Sequence, residues 1–246
     1  MNTEKLSSLI KSSNRIVFFG GAGVSTESGI PDFRSPDGLY SQKYDYPPET
    51  ILSHDFFYAE TEEFYRFYRE KMLCPNARPN AAHRALARLE EEGKLLAVIT
   101  QNIDGLHTLA GSKNVCELHG CANRNICRKC GRVYSAEHIL STAGIPRCSC
   151  GGLIKPDVVL YGEALDGDTM DRAISAISRA DLLIVAGTSL TVYPAAGFVT
   201  LFRGENLVLI NKSETPMDHL ATLVIRQPVG QVLERAVFPT AYESRR

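Results

Sequence analysis

The sequence has almost no net charge, no long apolar run and few cysteines, and each shortage closes a class of function. Lys and Arg number 27 against 28 Asp and Glu, a net charge of −1 at pH 7. No overall basic field exists to hold nucleic acid or an anionic membrane, so direct nucleic-acid binding is not expected and any polymer must be recognised locally. The longest uncharged run, Leu182 to Phe202, is interrupted by Gly187, Pro194 and Gly197. Its continuously apolar part, Leu182–Ala186, falls far short of the ~20 residues a spanning helix needs. The opening Met1-Asn2-Thr3-Glu4-Lys5 lacks a charged-then-apolar leader. The expectation is a soluble, cytoplasmic protein with no membrane partner. Internal repeats and low-complexity blocks are missing as well. Seven cysteines is an odd number, and four of them stand in close pairs, which favours metal ligation in a reducing compartment over a disulfide framework.

What is present is a globular composition over 246 residues, 44% hydrophobic and 22% charged. That size suits one large domain, or a main domain with a small insert. Short apolar runs end abruptly in small or polar residues: Ile16–Phe19 before a glycine cluster, Leu95–Ile99 before Thr100-Gln101-Asn102, and Leu182–Ala186 before Gly187-Thr188-Ser189. Leu207–Ile210 then runs into Asn211, and Leu223–Ile225 into Arg226-Gln227. Runs this short and this apolar read as strands buried on both faces. Helical patterns lie between them, at Asn80–Glu92 behind Pro79 and at Asp168–Arg179. The alternation predicts an α/β fold, a Rossmann-like doubly wound parallel sheet whose ligands sit beyond the carboxyl ends of the strands. Two segments break the alternation. Pro31–Arg78 is rich in aromatics and proline, with one helix near Thr61–Met72, and Cys121–Pro156 carries the cysteine pairs. The large domain is therefore read as residues 1–33, 79–119 and 158–246. The smaller inserted domain is read as 34–78, a helical module, and 120–157, a four-Cys zinc module.

Four motifs carry chemistry. Gly20-Gly21-Ala22-Gly23-Val24-Ser25 follows a strand, where glycines let backbone approach a pyrophosphate. Thr26 replaces the third glycine of a dehydrogenase fingerprint and Gly29-Ile30-Pro31 stops the helix within two turns, which argues against routine hydride transfer. Thr100-Gln101-Asn102-Ile103-Asp104 clusters amides and a carboxylate that can orient a carboxamide or ribose; the alternative is an Asx-type turn capping the next helix. His119-Gly120 follows a strand-like Val115–Leu118, and a histidine there is a candidate general base or else a structural histidine. Finally, Cys127-x-x-Cys130-Gly131 and Cys148-x-Cys150-Gly151 make a four-thiolate tetrahedral zinc site with no open position, hence a structural one. Cys74, Cys116 and Cys121 remain as ordinary thiols, and His54, His83, His107, His138 and His219 as structural or surface groups.

Taken together with Ser28–Arg34, Lys155–Val159, Gly162-Glu163, Gly187–Leu190 and Val192–Ala196, these motifs resemble the sirtuins, in order and over about residues 14 to 229. The resemblance, to bacterial protein deacetylases among them, implies an NAD-dependent protein lysine deacetylase. NAD is consumed: acetyl passes from lysine to ADP-ribose, and nicotinamide and O-acetyl-ADP-ribose leave. The catalytic residues it implies are His119, Asn102 and Asp104, with His119 deprotonating a ribose hydroxyl. Contacts to NAD are implied for Gly21, Ala22, Gly23, Ser25, Thr26, Asp32, Phe33 and Arg34. They are implied also for Gln101, Asn102, Ile103, Asp104, His119, Gly187, Thr188, Ser189, Asn211, Lys212 and Val229. Acetyl-lysine proteins or peptides would bind as an extended strand against Val159, Leu160, Tyr161, Gly162 and Glu163 on one side and Leu190, Val192 and Tyr193 on the other. Cys127, Cys130, Cys148 and Cys150 would hold one structural Zn2+.

Two departures shape the expectation. Tyr161 stands where many relatives carry Phe. Relatives that remove succinyl groups use a Tyr-x-x-Arg pair, whereas here the stretch reads Tyr65-Arg66-Phe67-Tyr68 with Arg69 one residue late. A helix turns ~100° per residue, so Arg69 is expected to point elsewhere and the acyl group to be neutral. The alternatives are a deacylase for other neutral acyl groups and a mono-ADP-ribosyltransferase; a non-catalytic NAD-responsive module is a third, disfavoured by His119. The oligomeric state is left open, a monomer being compatible.

Overall fold

The computed structural model describes residues 2–33, 35, 38–41 and 44–238. Every strand expected from an apolar run forms: β1 (Ile16–Gly20), β2 (Leu95–Thr100), β7 (Leu182–Ala186), β8 (Asn206–Ile210) and β9 (Leu223–Ile225), joined by β3 (Val115–Glu117). They make one parallel sheet in the order β3-β2-β1-β7-β8-β9. Strand β1 is fully buried along its length because both faces of the sheet are covered. Ile16 and Phe18 face one apolar cluster, built with the helices α1 (Asn2–Ser12), α5 (Ala81–Glu91) and α9 (Val229–Val237). Val17 and Phe19 face the other, built with α8 (Gly167–Arg179) and a 3-10 segment, Ala195–Leu201. Truncating a core ring such as Phe18 to Ala should cost about 3–5 kcal/mol.

The chain winds outward from β1 through β2 to β3, then returns to β1's other flank with β7. This makes the gap between the carboxyl ends of β1 and β7 the topological switch point. The two loops leaving that point touch. A Cβ on Gly23 would sit 2.8 Å from the Gly187 Cα, and one on Gly21 would sit 2.8 Å from the Thr188 Cβ. The glycines therefore serve loop-to-loop closure across the switch point, a packing reason that the spacing of the motif did not disclose.

The inserted segments pack together. Strands β4 (Gly120–Cys127), β5 (Val133–Tyr134) and β6 (Ile154–Val158) form an antiparallel sheet in the order β5-β4-β6. With α2 (Pro48–Ile51), α3 (His54–Ala59), α4 (Thr61–Phe67) and α7 (Ala136–Ser141) they enclose a third cluster containing Phe57, Phe64, Tyr65, Tyr68, Ile139 and Ile154. The helix expected over Thr61–Met72 ends as α4 and continues as one π-turn, Tyr68–Met72, closed by the Leu73 N–H to the Tyr68 carbonyl. The wider turn accompanies burial of four aromatic rings, Phe64, Tyr65, Phe67 and Tyr68, more than a single stripe of α-helix presents. A short helix, α6 (Leu106–Leu109), follows β2. Among the described residues no helix is long and apolar enough to cross a membrane.

Candidate active site

A cavity of about 1160 Å³ runs from the switch point into the junction with the small sheet. Gly21, Ala22, Gly23, Ser25, Thr26, Asp32 and Phe33 border it from the first loop, and Gln101, Asn102, Ile103 and Asp104 from the end of β2. Gly187, Thr188, Ser189, Asn211, Lys212 and Val229 border its far end. Motifs more than 200 residues apart in sequence thus meet in one space. Arg34 lies outside the described residues.

The first loop folds as two single 3-10 turns, Ala22–Val24 and Thr26–Ser28, ended by Gly29 at φ 82°. Ser25, only 1% exposed, hangs from it between the amide and the carboxylate of the second motif. Its hydroxyl donates to Asp104 Oδ2 at 2.6 Å and accepts from Asn102 Nδ2 at 3.0 Å. Asp104 Oδ1 accepts the Leu106 N–H at 2.9 Å, so this carboxylate also caps α6. The turn cap is therefore present, and the second oxygen of the same carboxylate is engaged with Ser25 beside the cavity. Gln101 ties the ends of β2 and β7 through Nε2 to Thr188 Oγ1, 3.0 Å.

His119 borders the same cavity. Its Nδ1 is 2.9 Å from the Gln101 carbonyl oxygen. A carbonyl can only accept, so Nδ1 carries the proton and Nε2 is left with its lone pair. Burial lowers the imidazole pKa below its ordinary value, and the bond to Gln101 opposes that shift only in part. The ring is therefore neutral at pH 7, the form a general base requires. Gly120, at φ 76°, lets the chain cross directly beneath Asp157, where a Cβ would collide with the Asp157 carbonyl oxygen. Arg124 braces this crossing by donating to Glu117 on β3 and to Asp157 on β6, both at 2.8 Å.

On the other wall Val159, Leu160, Tyr161, Gly162 and Glu163 border the cavity opposite Val192 and Tyr193. Several of their groups are already engaged. The Tyr161 N–H donates to the Leu52 carbonyl and its carbonyl accepts from the His54 N–H, both at 2.9 Å. Glu163 accepts from Lys155 Nζ at 3.0 Å and from the Leu160 N–H at 2.9 Å, so it holds the wall in shape. Among the described residues the Val159 carbonyl and the Gly162 N–H have no protein hydrogen-bond partner. Leu190, expected on the opposite side, turns the chain at φ 55° and buries its side chain in the cluster behind the sheet, 2% exposed. It can contribute only main chain. The Tyr161 and Tyr40 hydroxyls share a hydrogen bond of 2.7 Å across the cavity mouth.

The sequence reading missed an apolar end of this cavity, bordered by Met72, Leu73, Ala136, Leu140 and Ile103. No motif marks it, because it assembles from both inserted segments. Arg69 does not enter it: Nε donates to the Ile139 carbonyl at 2.9 Å and the guanidinium lies 5.2 Å from the Tyr65 ring centre. The Tyr65 hydroxyl is engaged with the Ile154 carbonyl.

Cys127, Cys130, Cys148 and Cys150 place their Sγ atoms within 4.8 Å of one another, with Cys127–Cys150 at 3.5 Å and Cys130–Cys148 at 3.6 Å. A tetrahedron with Zn–S bonds of ~2.3 Å has edges of about 3.8 Å, so four thiolates fit zinc and leave no coordination position for a substrate. Cys74, Cys116 and Cys121 stand apart from this group. His83 and His107 are buried, their rings 4.6 Å apart, behind α5 and α6.

Against known proteins, the Sir2 family model matches residues 21–194. An NAD-dependent protein deacetylase of Clostridium acetobutylicum is 57% identical over 237 residues, 95% of this chain and 97% of the relative. One from Clostridium perfringens is 58% identical with the same coverage. Among solved structures, a Sir2 variant with a deacetylated p53 peptide and 3'-O-acetyl ADP-ribose superposes with a TM-score of 0.89 at 44% identity, covering 98% of this chain and 99% of that one. A Sir2 bound to acetylated peptide gives 0.85 at 42% identity, with the same coverage.

Proposed function

The chain belongs to the Sir2 family, and from that premise we propose how its own residues carry out the reaction. It is an NAD-dependent protein deacetylase that passes the acetyl group of a lysine to ADP-ribose. NAD, when bound, supplies a departing nicotinamide and the sugar that receives the acetyl group. The observation carrying our assignment of roles is the placement of His119, its Nδ1 committed to the Gln101 carbonyl, on the same cavity as the Ser25–Asn102–Asp104 network.

His119 takes the proton of a ribose hydroxyl, and the Gln101 carbonyl keeps the imidazole in the required tautomer and steadies the positive charge that develops. Asn102 and Asp104, fixed by Ser25, orient the nicotinamide end and its ribose. Val159 and Gly162 offer main-chain groups to an extended peptide, which is why recognition depends little on neighbouring side chains. Holding both reactants in one enclosed cavity supplies the entropic part of the acceleration. The acyl group points to the apolar end beside Met72, Leu73 and Leu140, and acetyl or other neutral acyl groups suit that lining. The four cysteines hold one structural zinc that fixes the small sheet.

The experiment is to incubate the protein with an acetyl-lysine peptide, with and without NAD, and to follow nicotinamide and O-acetyl-ADP-ribose by mass spectrometry. Both products should appear only with NAD, and His119→Ala should lower kcat by about 10²–10⁴-fold. Deacetylation that proceeds equally without NAD refutes the reading. ADP-ribose attached to protein instead would point to transferase activity.

A further inference from the structure

The first loop is too short to hold its own shape. Its two single 3-10 turns are each closed by two i→i+3 bonds, and how they sit is fixed from outside: the Gly23 N–H donates to the Gly187 carbonyl at 2.8 Å, and three further neighbours act through side chains. One neighbour is the Ser25 network inside the cavity. A second is Glu27, whose Oε2 accepts the Gly230 N–H at 2.6 Å in the first turn of α9, next to Val229.

The third neighbour is Asn80, which does not border the cavity. Asn80 caps α5, its Oδ1 accepting the Ala82 N–H at 2.9 Å. Its Nδ2 donates to the Val24 carbonyl at 2.8 Å and to Ser28 Oγ at 3.0 Å, one contact for each of the two turns. Its own N–H donates to His83 Nδ1 at 3.2 Å, and burial holds His83 neutral with a pKa of about 4, so that bond persists at neutral pH. Both N–H groups of this amide and its oxygen are thus engaged. The residue type is informative. A helix cap needs only the oxygen, and Ser, Asp or Thr supplies one about as well. Only Asn adds two N–H groups, and both of them go to the loop.

We propose that Asn80 is a positioning residue for NAD, holding the 22–28 loop in its binding conformation without touching the ligand. The proposal rests on the reading above that the cavity takes NAD. Position 80 thereby links the start of α5 to cofactor affinity, separately from its contribution to helix stability.

The test uses Asn80→Asp and Asn80→Ser, which keep a capping oxygen and lose the two donors. Affinity for ADP-ribose and NAD is measured by calorimetry, and amide hydrogen exchange is followed in the ligand-free protein. Asn80→Asp, which also sets a carboxylate against the Val24 carbonyl, should weaken ADP-ribose binding about tenfold, the loss of both hydrogen bonds to the loop. Exchange should quicken at the loop amides of Ser25, Ser28 and Gly29 while the amides of α5 stay protected. A residue that serves only as a cap gives a different pattern, with unchanged affinity and unchanged exchange at the loop amides because both variants keep the capping oxygen; that result overturns the proposal. Should both variants fail to fold, Ser28→Ala removes one of the two acceptors and should weaken binding about two- to threefold. Unchanged affinity there also overturns it. Failure of the wild-type protein to bind ADP-ribose would instead refute the reading of the cavity, and is told apart because no variant is involved.

Discussion

Lowering the pH should destabilise this fold through a buried histidine that does not border the cavity. His107 is 2% exposed, packed against Phe18 and His83, and neither of its ring nitrogens has a hydrogen-bond partner among the described residues. Burial, with His83 a smaller cause, pushes its pKa down to about 3. An unfolded histidine titrates near ~6.5, so between those values the unfolded chain binds a proton that the native state refuses. The stability contributed is full above ~6.5 and is lost as pH falls toward about 3, at ~1.4 kcal/mol per pH unit. From pH 7.5 to 5 the loss integrates to about 2 kcal/mol, which for a chain of this size lowers Tm by roughly 4–8 °C. Zinc release would also lower stability in acid, so the assay compares the wild-type protein with His107→Leu by urea unfolding at both pH values. The zinc contribution is common to both and cancels in the difference. His107→Leu should be less sensitive to acid by about 2 kcal/mol. Parallel pH profiles for the two proteins would refute the reasoning.

Three further outcomes are expected. Deacetylation should lose its acid limb at a pH below the ordinary imidazole range, because burial lowers the His119 pKa and the neutral ring is the active form. A kcat/KM profile with its acidic midpoint above 7 contradicts this. In a panel of acyl peptides, acetyl and butyryl should be processed and succinyl should fall at least about a hundredfold behind, since among the described residues the two cations near the apolar end are engaged, Lys71 with Glu70 at 2.8 Å and Arg69 with the Ile139 carbonyl. Comparable rates for succinyl and acetyl peptides would show that Arg69 or another cation reaches the acyl group. Metal analysis should find one zinc per chain, and chelation or Cys127→Ala should unfold the small sheet and abolish activity. Full activity after complete metal removal would show that the sulfur cluster is dispensable.

The strand list was legible because each run is apolar on both faces, a pattern that survives without knowledge of neighbours. Motif placement was legible where one residue type has few uses: the paired cysteines cluster and His119 borders the cavity. Other features were hidden for identifiable reasons. Leu190 reads as a cleft residue until its φ of 55° turns the side chain into the core. The glycines of the first loop suggest a phosphate approach, yet their immediate task is to let Gly23 lie against Gly187, a contact between positions 164 residues apart. Tyr161 looks available for strand pairing, but segment 52–54 already occupies its main chain.

The sequence by itself determined which segments are strands, which cysteines cluster, and which motifs end at the same edge of the sheet, because periodicity, spacing and punctuation are properties of the local chain. Only the tertiary structure decided which groups are spent and which stay available. Hydrogen bonds such as Asn80 to Val24, Gly230 to Glu27 and His119 to Gln101 join residues distant in the chain. Burial, which sets the imidazole pKa values, exists only once those segments have closed over one another.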